Sequence, residues 1–430
     1  MLTVAYLANQ FPSAVEPYVV DEIAELRRRG LRVIAGSVGK AGPGEVWPGQ
    51  RQPEVVVRSP SVIILLRALW LCVRRWKRIS PLLARILFRG SEGLFRRIKA
   101  LAHTWLGACY AVRLIGRGVD HIHVHHGYFG SWIALSASQL LGVRFSMTLH
   151  GSDLLVRATY LGTKLEHCAF CLTVSEYNRL YILKHYSPVD ADKVVVARLG
   201  VEVFAAVPPD SRLTTKADPI RLLAVGRLHA VKDHAFLIQA CARLKDCGVD
   251  LECVIAGDGP ERANLKLLIR SYDLEERVTL LGHVARESMN SLYDRADVVV
   301  LTSRSEGIPL VLMEAMARGK IVLAPAITGI PELVIAGKTG FLYEPGSVGA
   351  FVDRLLFIRS LMPARLPPDL GRAFPAAAGQ LDWIRHAARV QVRHNFNRKW
   401  NLESFADVFL QRIAPQTESV AHENLVLQQI

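Results

Sequence analysis

The chain has 430 residues, half of them apolar, and a formal net charge of +14. That length exceeds one ordinary core, so two domains are expected, and the apolar share excludes a disordered or fibrous chain. No charge-free apolar run of about eighteen residues occurs, which argues against a spanning helix. The seven Cys have no regular spacing, as expected of reduced cytosolic thiols and not of a disulfide framework.

In chain order, MLTVAYLANQFP reads as a strand and lacks the basic start and long apolar stretch of a signal peptide. LTVAYLA, RVIAGSV, DHIHVHH, RFSMTLH, AFCLTVS and KVVVARL read as strands, with YVVDEIAELRRRG and SWIALSASQLLG as helices between them. Such alternation predicts a parallel α/β sheet, placed here over residues 1–206.

Within that domain, residues 61–100 carry ten Lys or Arg against one acid, Glu92. Trp70, Trp76, Leu and Ile alternate with Arg at roughly helical spacing. A basic amphipathic helix of this kind predicts contact with an anionic membrane surface. A solvated helix covering the core explains the charge but not the Trp and Ile. No nucleic-acid motif accompanies the patch, so nucleic acid is not expected as a partner.

His121, His123, His125 and His126 suggest a metal, but alternation along a strand keeps the odd positions and His126 from converging. One of them is expected in a cleft and no zinc site is expected. Cys168 and Cys171, beside His167, form one Cys-x-x-Cys without a second pair and read as core. Asp190-Ala191-Asp192 precedes a strand and reads as a solvated turn.

Residues 207–219 are Pro-rich and polar, and predict a linker. IRLLAVG, LECVIAG, RVTLLG, DVVVLTS, KIVLAP and GFLYEP then predict a second doubly wound domain over 220–395. From about residue 351 the chain is read as helical and basic, with residues 396–430 a helical tail. Ligands bind such sheets outside the carboxyl ends of the strands, so two facing domains would share a cleft.

The segment SRSEGIPLVLMEAMARG, residues 303–319, follows a strand and holds Glu306 and Glu314 eight positions apart. Gly307 permits a close turn, and Pro309 is expected at the first helical position. The amides of Leu310, Val311 and Leu312 would then face outward from a helix end that suits a phosphate. Glu306 would lie beside whatever the phosphate carries, and Glu314 would reach a ribose hydroxyl. Gly226-Arg227 with Lys232, Gly257-Asp258-Gly259-Pro260, Gly282-His283 and Gly329-Ile330-Pro331-Glu332 fall at other strand ends. Arg227 and Lys232 would neutralise a pyrophosphate. Any one of these elements alone reads as an ordinary turn; together and in order they predict a sugar-nucleotide site.

GRLHAVKD, GDGP, GH, SEGIPLVLMEAMA and TGIPELV resemble, in order, the donor-domain motifs of family 4 retaining glycosyltransferases. The resemblance implies the GT-B fold of two facing Rossmann-like domains, and hexosyl transfer from a nucleotide-diphosphate sugar to a hydroxyl of a lipid-linked or growing polysaccharide. It also implies that Arg227 and Lys232 bind the diphosphate, Glu306 the donor sugar and Glu314 the ribose. Gly226, Gly257 and the backbone of Gly307, Ile308, Pro309, Leu310 and Val311 would line the phosphates, and His283 would border the base. In the first domain TLHGSDL implies His150 near the reacting carbon, with Asp153 beside it. NQFPSAVEPYVVDEI is similar to the FP-x-x-SETF segment of exopolysaccharide-building members such as the colanic-acid enzymes. Glu16 remains, but Val15 and Pro17 replace Ser and Thr, so those hydroxyl contacts are absent; Glu16 and His125 stay as acceptor-side candidates. HHGYFGSWIALS is similar to the same subgroup. No cofactor or metal is expected, since helix end, Arg and Lys already meet the leaving-group charge. The expected place is the cytoplasm, at the inner face of the plasma membrane. A nucleotide-sugar epimerase or phosphorylase, or a non-catalytic sugar-nucleotide-binding module, remain alternatives.

Overall fold

Alternating apolar runs and helical patterns become two separate parallel sheets. The computed structural model describes residues 1–13, 16–39, 52–58, 60–156, 159–186, 188–203, 215, 218–362 and 379–414. Val15, most of the expected linker at 207–219 and the chain beyond residue 414 lie outside the described residues.

The first sheet contains β1 (Thr3–Gln10), β2 (Arg32–Gly39), β3 (Val55–Val56), β4 (His121–His125), β5 (Arg144–Leu149), β6 (Phe170–Thr173) and β7 (Val194–Val196). Its order is β3-β2-β1-β4-β5-β6-β7, and every pairing is parallel. The second contains β8 (Ile220–Val225), β9 (Leu251–Ala256), β10 (Val278–Gly282), β11 (Val298–Val300), β12 (Ile321–Pro325) and β13 (Phe341–Tyr343). Its order is β10-β9-β8-β11-β12-β13, again all parallel. Strand order therefore reverses between β1 and β4 and between β8 and β11. Crossover helices leave in opposite directions at those points, which opens a crevice at the carboxyl ends of the strands. Most strands are short apolar runs buried on both faces, as helices covering each face require, while the edge strand β10 is partly exposed. Only the two-residue β3 was not expected, since it is too short to show a pattern.

The expected tail is corrected. The helix Arg398–Ile413 returns to the first domain and completes its core. Phe405, Ala406, Phe409 and Ile413 pack with Val4, Tyr6 and Phe170. Arg29 pairs with Asp407 at 2.6 Å. The preceding helix Gln380–Asn395 instead buries Leu381, Ile384, Ala388 and Val392 against the second domain. The chain thus crosses between domains twice, and the crossings are tied: Val201 N donates to Phe396 O and Arg398 N to Val201 O, each at 2.9 Å. Composition alone showed a helical end of mixed charge and hid the apolar stripe on one side of the last helix.

The basic insertion is also corrected in form. It is two helices, Val62–Arg74 and Trp76–Phe88, and a third, Leu94–Leu114, that runs past the expected end at residue 100.

Phe409 is fully buried and stands edge-on to His123 and Phe170. Phe409→Ala should destabilise the first domain by about 3–5 kcal/mol. Denaturant melts that resolve two transitions should show the loss in one of them. Equal loss in both would mean that the last helix belongs to neither domain in particular.

Candidate active site

The donor-side loops gather because the turn after β8 and the turn after β11 hold each other. Arg304 N donates to Val231 O at 2.8 Å, Thr302 Oγ1 donates to Lys232 O at 3.0 Å, and Arg304 pairs with Asp233 at 2.7 Å. This brings Lys232 Nζ to 2.6 Å from Glu306 Oε1. The two groups expected at the diphosphate and at the sugar are therefore neighbours. Arg227 is exposed at the end of β8. Gly226 and Gly257 pack backbone to backbone: a Cβ on Gly257 would lie 1.9 Å from Gly226 O. His283 follows β10 and is exposed.

The helix is Leu310–Ala317, with extended Pro309 one residue ahead of it rather than at its first position. Leu312 N donates to Pro309 O at 3.2 Å and is not available as expected. The amides of Leu310 and Val311, in the first turn, have no residue four positions back within the helix to accept from them. Ile308 is buried, so it offers backbone and not side chain. Glu314 Oε2 accepts from the Tyr293 hydroxyl at 2.7 Å, which fixes the carboxylate a turn into the helix. Ser303, Ser305 and Thr328 have buried hydroxyls with no hydrogen-bond partner. An orphaned buried hydroxyl is costly unless a ligand meets it. All three flank Glu306 or the 329–332 turn, and sequence gave no sign of them because lone Ser and Thr are common in turns.

On the facing side, His150 follows directly after β5 and its backbone meets Gly307. A Cβ on Gly307 would lie 1.8 Å from His150 O, and one on Gly151 would lie 2.6 Å from Gly307 N. The value of Gly307 is this close approach. Glu332 reinforces it: its carboxylate accepts from Glu176 N at 3.0 Å and Tyr177 N at 2.7 Å, at the start of the helix Glu176–His185 in the other domain.

Asp153 is fully buried and accepts from the amides of Gly127 at 2.9 Å, Gly151 at 2.8 Å and His150 at 3.1 Å. This corrects its expected place among reacting groups: Asp153 holds the His150 loop. His125 is also fully buried, so it does not line an acceptor surface as expected. Its Nδ1 lies 2.9 Å from His150 Nε2, and its Nε2 lies 3.0 Å from Glu22 Oε2.

The four His do not converge on one point, as expected, and His126 leaves the strand pattern. β4 ends at His125, and His126 takes a φ of 68°, which breaks the alternation. Its ring lies 4.5 Å from that of His150, and its Nε2 lies 2.7 Å from Glu16 Oε1. Burial opposes a charge on His126, but hydrogen bonds to Asp153 and Glu16 overcome it and raise the pKa to about 10. The same contacts hold Glu16 and Asp153 below their ordinary values against burial. His150 is driven well below its ordinary value by burial and then by His126 and His125. His126, Glu22, Tyr6 and Tyr18 were missed because their contacts join four separate elements. Cys168 and Cys171 are buried in the core, and Asp190 caps the N–H of Asp192 in an exposed turn, as read.

Residues 210–364 match the family model described as glycosyl transferases group 1. The chain carries a group 1 glycosyl transferase domain. Over 214 residues it is 34% identical to the putative colanic acid biosynthesis glycosyltransferase WcaL of Escherichia coli, covering 48% of each chain. Over 233 residues it is 33% identical to the amylovoran biosynthesis glycosyltransferase AmsK of Erwinia amylovora, covering 52% of each. The chain thus spans about half the length of these relatives. The sucrose-phosphate synthase of Thermosynechococcus elongatus superposes with a TM-score of 0.69 at 19% identity, covering 96% of this chain and 99% of that one. Anabaena HepE, solved with UDP and glucose, gives 0.64 at 18%, covering 96% and 100%. The group 1 domain and its partner domain therefore form the expected GT-B fold.

Because the folded pKa of His126 lies above 6.5, the imidazolium adds stability in full below about pH 6.5 and loses it as pH rises through about 10. The stability gap between wild type and His126→Gln should thus be largest near pH 6, about 5 kcal/mol at most, and should shrink toward pH 10. Denaturant melts at three pH values read it. A gap that widens with pH would mean that His126 is neutral.

Proposed function

We propose that this protein is a retaining glycosyltransferase that moves a sugar from a nucleotide-diphosphate sugar to a hydroxyl of a lipid-linked or polysaccharide acceptor at a membrane surface. The observation that carries the reading is the meeting of the Glu306–Gly307 turn with the His150 loop across the cleft. Donor groups on one sheet and His150 on the other then share one reaction space. The relatives named for colanic acid and amylovoran synthesis support a cell-envelope or exopolysaccharide acceptor.

In this reading Arg227, Lys232 and the amides of Leu310 and Val311 take the diphosphate, and Glu314 takes the ribose. Glu306 then exchanges Lys232 for a hydroxyl of the donor sugar. The departing phosphate is neutralised by these groups without a metal ion, and it helps take the acceptor proton in a front-face substitution. Glu306→Gln should lower transfer roughly 10–100-fold, the worth of one charge-assisted hydrogen bond. It should leave binding of the free nucleoside diphosphate intact or tighter, because Lys232 loses its partner. Titration calorimetry and initial rates check both; weaker diphosphate binding with normal turnover would put Glu306 at the phosphates and not at the sugar.

The insertion supports the membrane part. The outer face of the helix Val62–Arg74 exposes Val62, Ile63, Leu66, Leu69, Trp70 and Val73, while Ala68 and Leu71 turn inward. Phe88, at the end of the next helix, is 82% exposed. A solvated face is polar; this one is apolar with Arg74, Arg75, Lys77 and Arg78 beside it. Among the described residues no helix is long and apolar enough to cross a membrane. Each Lys or Arg near an anionic surface adds about 1 kcal/mol, which salt screens, whereas burial of Trp70 and Phe88 is not screened. Sedimentation with phosphatidylglycerol vesicles should therefore fall with ionic strength without vanishing. Changing Arg74, Arg75, Lys77 and Arg78 to Gln should release most of the protein. No binding at low salt would leave a soluble acceptor.

A further inference from the structure

We propose that a row of side chains, from Phe95 through Lys99, His103 and Phe129 to Tyr128, is the track of an amphiphilic acceptor. Its hydrocarbon chain lies at Phe95, an anionic phosphate link at Lys99 and His103, and a sugar head at Tyr128, reaching toward His150. The proposal deepens the glycosyltransferase reading and rests on it for the role of that head as acceptor.

The row starts on the helix Leu94–Leu114. Residues four apart on a helix are neighbours on one face, so Phe95, Lys99 and His103 stand in line. The Lys99 ammonium lies 4.3 Å from the centre of the Phe95 ring. His103 stacks on Phe129 with ring centroids 5.3 Å apart. Phe129 opens the next helix, Phe129–Leu141, directly after Tyr128. The Tyr128 ring stacks on His126 at 5.6 Å, and the His126 ring lies 4.5 Å from that of His150. The row thus runs from the surface of the insertion to the cleft.

Its chemistry changes along the way. At the outer end Phe95 is 69% exposed, with Leu94 and Ile98 exposed beside it. In the middle the row is cationic: the helix holds Arg96, Arg97, Lys99 and Arg113 and no acid. Arg97 is spent on backbone carbonyls, but Lys99 pairs with no carboxylate among the described residues. The His103 pKa is lowered to about 4, by burial first and then by Lys164 and Lys99, and an anion there would offset the two lysines. At the inner end the row offers hydrogen bonds. The Tyr128 hydroxyl lies 2.6 Å from Ser152 Oγ. Glu16 Oε1 lies 2.7 Å from His126 Nε2, while Glu16 Oε2 is buried with no hydrogen-bond partner among the described residues. A bare carboxylate oxygen calls for a donor, which a sugar hydroxyl supplies.

Apolar, then cationic, then hydrogen-bonding is the order of groups in a lipid-phosphate-linked sugar. A folded partner, a second copy of this chain included, covers a face and does not thread from it into a cleft. A bilayer phospholipid uses the first two stations and has nothing for the third.

Decyl phosphate below its micelle concentration is the probe. Octyl glucoside serves as the neutral-headed amphiphile and inorganic phosphate as the anion without a chain. Titration calorimetry on the full chain should show one saturable site for decyl phosphate, with the other two roughly tenfold weaker or more. Lys99→Gln should weaken decyl phosphate roughly fivefold and leave octyl glucoside unchanged. Phe95→Ser should weaken both amphiphiles, roughly tenfold. Leu267→Ser, at a side chain of the second domain that is 63% exposed, should change nothing. The His103 ring resonances, assigned with His103→Gln, should shift on adding decyl phosphate. Equal affinity for octyl glucoside, no effect of Lys99→Gln, an equal loss in Leu267→Ser, or unmoved His103 resonances would each overturn the proposal. Binding to phosphatidylglycerol vesicles without any binding of monomeric decyl phosphate would overturn it too, and would make the row part of a bilayer contact. If decyl phosphate binds as expected but no nucleotide sugar is turned over, the track stands and the glycosyltransferase reading fails.

Discussion

Everything in the cleft depends on one backbone contact, the His150 carbonyl against Gly307. Neither sheet builds a complete site. Each offers the carboxyl ends of its strands at a point where strand order reverses, and those ends are useful together only when they nearly touch. A methyl group at residue 307 would occupy the space of the His150 oxygen. The contact is fixed in place by bonds that span the domains. Glu332 takes two amides of the helix Glu176–His185, where the helix dipole favours a carboxylate. The paired crossings at Val201 and Phe396 hold the far side, as the two leaves of a hinge do.

The two sides of the cleft handle charge differently. On the donor side the charges are partly exposed and exchangeable. Lys232 and Glu306 satisfy each other at 2.6 Å, and in the proposed reading a diphosphate and a sugar hydroxyl replace them. The orphaned hydroxyls of Ser303, Ser305 and Thr328 add sites that gain a partner only when something binds. On the facing side the charges are buried and already compensated. His126 sits between Glu16 and Asp153, and Lys164 gives its ammonium to the carbonyls of Gly127 and Tyr128 at 2.7 and 2.9 Å. Burial lowers the pKa of Lys164 to about 7. Such a cluster is costly to rearrange, which suits a surface that must hold one geometry while the donor side changes partners.

Sequence periodicity made nearly all of the strands legible, because short Val- and Ile-rich runs between helical patterns have few other readings. The places of Gly226, Glu306 and Glu314 at strand ends were legible for a related reason: each stands in or beside a local turn or helix start that one stretch of sequence shows. The first-domain network was not. Glu22, Tyr6, His125 and His150 come from a helix, two strands and the turn after a third, and nothing local announces their meeting. His126 defeated the alternation argument because a single left-handed residue at a strand end redirects its side chain. The last helix was misread for a similar reason: its apolar stripe has meaning only against the first domain, more than two hundred residues earlier in the chain.

Charge counting also blurred the insertion. Its ten basic residues looked like one population, but the structure divides them. Arg85 binds Glu92 at 2.7 Å and lies over the Tyr160 ring, and Arg97 donates to carbonyls of Glu92, Ile86, Leu87 and Gly90. These two close the end of the helix Trp76–Phe88 and hold the helices together. A membrane gains nothing from them. What distinguishes the outer surface is the Val62, Leu66, Trp70 and Val73 stripe, with Arg74 stacked 5.0 Å over Trp70. In the proposed reading a lipid interface takes up this stripe, and the basic residues beside it favour an anionic one. The insertion belongs to the domain that carries His150, so whatever surface it rests on lies on the side of the cleft opposite the proposed nucleotide site. A lipid-linked acceptor would then arrive from the first domain while the water-soluble donor enters from the second.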